Sequence, residues 1–155
     1  MNKRIQTALS QAAVSTFESM GFLLPTRELD ERQLKAPAEA SVTVAFHGPV
    51  HGALQVRTFG RLLPVLTANM MGLMEAPSAQ LQQDALGEIA NVICGHIVTF
   101  LTEPDAVYSL DSPKVSGPAA APGKEDGSLE AQVQLGIEDG RTVVELRIFE
   151  GTLAP

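Results

Sequence analysis

Tryptophan is missing from this 155-residue chain, tyrosine occurs once, and aromatic residues make up only 5% of it. The interior must therefore be built from Leu, Ile, Val, Ala and Met, which pack by shape rather than by stacking. Cysteine is scarce as well. Cys94 stands alone, which excludes an internal disulfide and any paired-cysteine metal motif. It has no base partner in an evident motif and reads as a small packing residue. Long apolar runs are absent, and no segment approaches the roughly 20 residues a membrane span requires. Lys3-Arg4 precedes a partly apolar stretch, but Gln6, Ser10, Gln11 and Ser15 interrupt it before an h-region can form. A cytoplasmic protein without membrane insertion is expected. Basic residues are in deficit, and the net charge of −7 speaks against nucleic acid and anionic membrane as partners. The length suits one domain, residues 1–155, with a sizeable core.

Periodicity supplies the elements. Residues 3–20 place Ile5, Leu9, Ala12, Ala13, Phe17 and Met20 on one side of a helix, with Gly21 as the stop. Residues 25–40 are polar and weakly patterned, with room for one short strand. Ser41–His47 alternates and Ala53–Thr58 returns as a second strand across Gly48-Pro49-Val50-His51-Gly52, the reading of a hairpin. Residues 60–71 are helical in pattern, with Pro64 in the first turn. Ser78 is a candidate N-cap for a long helix reaching about Leu101, and Pro104 ends any continuation. Ala106–Leu110 reads as a short strand. Asp111–Ser128, rich in proline and glycine, reads as a mobile loop. Two strands close the chain, Leu129–Ile137 and Thr142–Phe149, joined by an Asp139-Gly140 hairpin signal. Helices interspersed with antiparallel hairpins predict an α+β fold, an antiparallel sheet packed with long helices.

The most informative stretch is Asp84-Ala-Leu-Gly87-Glu88-Ile-Ala-Asn91-Val-Ile-Cys-Gly95. Positions 84, 88, 91 and 95 fall in one narrow helical stripe, opposite Leu86, Ile89, Ala90, Ile93 and Ile97. From Ala85 to Leu101 the only formally charged side chain is Glu88. Glycine inside a helix costs about 1 kcal/mol relative to alanine, so Gly87 and Gly95 suggest a close approach to this helix. A carboxamide suits phosphoryl transfer, because it can orient an attacking water without adding negative charge beside the phosphoryl oxygens. A carboxylate one turn away can pair with a bordering cation. Asp84 admits two readings, a residue of this motif or a carboxylate favoured near the helix N-terminus.

These residues resemble the active helix of the CheC/CheX/FliY phosphatases: Asp or Ser, three residues, Glu, two residues, Asn, then a proline some twenty residues on. The match is Asp84, Glu88, Asn91 and Pro113, the proline one position nearer than the usual CheC spacing. The resemblance spans the chain, including the Phe46–Gly52 turn and the helix ending Asn69-Met-Met-Gly72. It is closer to CheX than to CheC, because Phe17-Glu18-Ser19-Met20-Gly21 on the first helix lacks the second asparagine of CheC-type proteins. It implies a single CheX-like domain with one active helix and a homodimeric state. The implied partner is phosphorylated CheY or a CheY-like receiver, whose phospho-aspartate is hydrolysed. Glu88 and Asn91 are the implied catalytic pair, with Asp84, Gly87, Gly95 and Pro113 at the partner surface. No cofactor bound by this chain is implied, Mg²⁺ being supplied by the receiver.

A non-catalytic receiver-binding or flagellar-switch-like adaptor of the same fold stands as the alternative. A metal hydrolase built on His47, His51 and His96 is more remote, since no H-E-x-x-H pattern accompanies them. Gly48, Gly52 and Gly60 do not have phosphate-loop spacing, and no G-x-S-x-G elbow is present. An antiparallel sheet ending in Thr142–Phe149 also needs its edge covered or charged, a task for which Glu145, Arg147 and Glu150 are candidates.

Overall fold

A computed structural model describes residues 1–117 and 127–155. Its elements in chain order are α1 (Lys3–Gly21), α2 (Glu31–Lys35), β1 (Ala38–His47), β2 (His51–Phe59), α3 (Leu62–Met71) and α4 (Ala79–Ile97). A 3₁₀ turn (Val98–Phe100), β3 (Ser109–Leu110), β4 (Lys114–Ser116), β5 (Ser128–Ile137) and β6 (Gly140–Glu150) complete it. The strands form one antiparallel sheet in the order β3-β1-β2-β6-β5, with β4 also pairing β1. The fold is α+β, as the interspersed hairpins predict. Alternation puts Val42, Val44, Phe46, Leu54, Val56, Val144, Leu146 and Val133 into the core beneath the helices. Ile5, Leu9 and Phe17 of α1 and Leu86, Ile89 and Ile93 of α4 meet them there, so the core forms without tryptophan.

Several local details differ from the sequence expectations. Residues 25–37 hold no short strand. Instead Asp30 caps α2, accepting the Gln33 N–H at 2.8 Å while the Gln33 side chain accepts the Asp30 N–H at 3.0 Å. Arg141 then donates to the carbonyls of Gln33 and Leu34 at the other end of α2. Gly21 is not the left-handed stop of α1. It is the last helical residue, because a Cβ there would lie 2.7 Å from the Leu66 side chain, and Phe22 takes the left-handed conformation at φ 52°. The closing hairpin turns on Glu138-Asp139 rather than Asp139-Gly140. Gly140 pairs with Ile137 as the first residue of β6, where a Cβ would strike the Phe59 carbonyl.

The expected mobile loop 111–128 contains a strand. Lys114–Ser116 pairs with Thr43–Ser41, and the segment is aligned so that Val42 faces Val115. Residues 118–126 of that expectation lie outside the described residues. The edge assignment also changes. β6 is an interior strand flanked by β2 and β5, so Glu145, Arg147 and Glu150 guard no edge. Glu145 is buried on the sheet and paired with Arg57 at 2.9 Å and Arg147 at 3.4 Å. The free edge belongs to β5, and it is occupied from within. Asn2 N–H donates to the Glu130 carbonyl, and the Gln6 carboxamide both accepts from Gln132 N–H and donates to its carbonyl. Thr26 exchanges two backbone hydrogen bonds with Gly136.

Candidate active site

The long helix begins where Ser78 accepts the Leu81 N–H at 3.2 Å. Leu86, Ile89, Ala90, Ile93 and Ile97 are fully buried and lock its rotation. The stripe through Gln80, Asp84, Glu88 and Asn91 is thereby turned outward. A groove of about 380 Å³ runs along it, closed on the far side by Pro113 and Val115. Pro113 reaches α4 because Gly87 admits it: a Cβ on Gly87 would lie 3.3 Å from the Pro113 Cβ. The segment carrying Pro113 hangs on β1 by the β3 pairing before it and the β4 pairing after it. Asp111 reinforces the attachment, its N–H donating to the Ala45 carbonyl at 2.9 Å and its carboxylate meeting His47 Nε2 at 3.1 Å.

Glu88 is exposed and Asn91 half-buried, and neither side chain has a hydrogen bond or ion pair among the described residues. Their Cα atoms differ by about 4.5 Å along the helix axis, so both functional groups can meet one bound surface. Asp84 is engaged differently, its carboxylate accepting from Gln80 Nε2 at 2.9 Å. Five of the sequence candidates, Asp84, Gly87, Glu88, Asn91 and Pro113, thus line one groove. Gly95 does not; it lines a separate groove between α1 and the end of α4. Gln80, Gln83 and Val115 complete the first groove and were not singled out from the sequence. Gln80 lies one turn before Asp84 on the same stripe and was open to that reasoning. Val115 was hidden by the loop-like composition around it.

The other reactive groups point elsewhere. Cys94 is buried, and burial pushes its thiol up to about 12, which leaves it protonated and unreactive at neutral pH. His47 and His51 come together at the tip of the β1–β2 hairpin, their Nδ1 atoms 3.3 Å apart. His96 lines the groove with Gly95 instead. Among the described residues, no three His, Cys, Asp or Glu side chains assemble that could hold a metal ion. Nor is any helix among them long and apolar enough to cross a membrane.

A helix bearing E-x-x-N along a groove, backed by an antiparallel sheet and closed by a proline, is the architecture of a CheC/CheX-type domain. The profile of the family described as "Chemotaxis phosphatase CheX" matches residues 40–120, just over half of the chain. The chain belongs to the CheX family of chemotaxis phosphatases. No curated protein matches it by sequence. Among solved structures it is similar to the chemotaxis protein CheX of Vibrio vulnificus, with a TM-score of 0.74 at 16% identity over 93% of this chain and 95% of that one. A CheC-like superfamily protein of Shewanella sp. PV-4 gives 0.68 at 21% identity, covering 97% and 100%. CheX in the CheX–CheY–BeF₃–Mg²⁺ complex of Borrelia burgdorferi gives 0.67 at 17% identity, covering 93% and 97%. At these identities the likeness establishes the fold.

Proposed function

We propose that this protein hydrolyses the phospho-aspartate of a CheY-like receiver domain in the cytoplasm, ending the receiver's active state. The observation that carries this reading is the Glu88–Asn91 pair, exposed to a common groove and unpartnered within the described chain. The carboxamide of Asn91 would hold a water in line with the phosphorus–oxygen bond to the receiver's aspartate. Attack then forms inorganic phosphate and returns the aspartyl carboxylate. Asn91 contributes position rather than charge, which is what a reaction with little covalent demand on the protein requires. Glu88 would pair with a lysine bordering the phosphoryl group, fixing the two proteins in register. The receiver brings its own Mg²⁺. Gly87 and Pro113 shape the groove wall, and Asp84, held by Gln80, sits at its rim as a partner contact. A symmetric homodimer presents one such helix per subunit.

The direct test is phosphate release from phosphorylated CheY-type receivers, with wild type beside Asn91→Ala. Wild type should accelerate release. The variant should fold normally, since Asn91 lies opposite the buried Ile89 and Ile93, and lose on the order of 10²-fold in rate. Near-wild-type release by Asn91→Ala would sink the mechanism. Binding without release by wild type would identify an adaptor.

A further inference from the structure

Two grooves lie along α4, and only one is accounted for by the Glu88–Asn91 chemistry. The second, of about 360 Å³, runs between α1 and the C-terminal end of α4. Ala8 and Ala12 of α1 line one side, Gly95 lies beneath it, and Thr99 and Phe100 stand at its end. Gly95 is the unusual member. Gly21 is needed to clear Leu66, and Gly87 to admit Pro113, but a Cβ on Gly95 would meet nothing within 4 Å. A helix-interior glycine lowers stability, and at this one no neighbour in the described chain requires it. Phe100 remains 44% exposed beside it in a chain with only six phenylalanines.

Position links this groove to the first. Gly95 lies one turn beyond Asn91, about 6 Å along the helix. A specific protein interface uses roughly 20–30 residues on each side. The eight residues lining the first groove are too few to make one. A domain seated over Asn91 must spread onto neighbouring surface, and the open, apolar face at Gly95 is contiguous with it. We infer that the receiver docked at Glu88 and Asn91 also inserts an apolar side chain, from the surface beside its phosphorylation site, into the α1–α4 groove. This rests on the receiver reading above. Gly95 provides the floor and Phe100 the end wall. The groove selects among receivers, because one presenting a charge there would bury it unpaired.

The test compares wild type, Gly95→Leu and Phe100→Ser, reading KM and kcat for a phosphorylated receiver and Kd for its beryllofluoride-loaded, Mg²⁺-bound form. Leucine fills the groove from a helix that tolerates it, so thermal stability should not fall. KM and Kd should rise about tenfold or more, with kcat at saturation nearly unchanged. Phe100→Ser should move the same constants the same way by removing the end wall. Unchanged KM and Kd in both variants would overturn the docking groove and leave the phosphatase reading standing. Should wild type bind the loaded receiver without releasing phosphate, a tenfold rise in Kd for Gly95→Leu would support the groove while the hydrolytic reading fell. No binding by wild type would overturn both.

Discussion

Glu88, Asn91 and Asp84 share one stripe of α4, yet their surroundings give them different capacities. Asp84 already has a partner in Gln80, whereas Glu88 and Asn91 present open groups to the groove. If Glu88 meets a receiver lysine, Glu88→Gln should lower kcat/KM about tenfold or more, and the loss should shrink when that lysine is already removed. A double-mutant cycle on phosphate release measures this coupling. Strictly additive losses would place Glu88 in local helix structure instead. Gly87 shows why single residues need their neighbours to be understood. As a letter it signals close approach, but the approaching group is Pro113 of the same chain.

At the scale of elements, α3 shows how one strand completes a helix. Arg61 at its start offers no side-chain cap. Glu39 of β1 does so in its place, accepting the Leu62 and Leu63 N–H groups at 3.1 Å. Helix-end donors favour the carboxylate, but burial works against the charge and is the larger effect, so the Glu39 carboxyl is held above its ordinary pKa. A raised folded-state pKa means the native protein holds this proton more tightly than the unfolded chain. The resulting stabilisation is complete below the ordinary carboxylate pKa and is lost as pH rises through the raised value. Wild type should therefore lose more stability than Glu39→Gln as pH rises from about 4. Glutamine keeps an acceptor oxygen for the two amides, which isolates the proton. Denaturant midpoints of the two proteins that ran parallel across that interval would remove Glu39 from the account.

At the scale of the whole molecule, the order of strands decides which surfaces are available for self-association. β5 bears the outer edge, but Asn2, Gln6 and Thr26 take up its backbone groups at Glu130, Gln132 and Gly136. An edge so occupied is a poor template for another chain. The proposed homodimer is therefore expected to leave β5 unpaired and to keep both α4 grooves open for separate receivers. Light scattering across the micromolar range should give twice the chain mass of 16.4 kDa. A monomer mass throughout that range would refute the dimer.

The sequence by itself determined the elements with strong periodicity: α1, the β1–β2 hairpin, α4 and the final two strands. It also determined the outward stripe of α4, because a 3.6-residue repeat of buried Leu86, Ile89 and Ile93 leaves only one side for Glu88 and Asn91. Pro113 was located through resemblance. Its wall-forming role was not legible, since β4 is three residues long and exists only through pairing with β1. The capping box of α2 was legible in Asp30 and Gln33 but lay in a weakly patterned stretch. Strand order escaped the sequence altogether. Alternation in Thr142–Phe149 tells which side of a strand is apolar, not which strands flank it, so Glu145 read as an edge guard when it is a buried partner of Arg57. The same holds for Gly87 and Gly95, identical in sequence terms. Only tertiary packing decided that one is filled by Pro113 while the other stays open, because what surrounds a missing Cβ is set by segments distant in the chain.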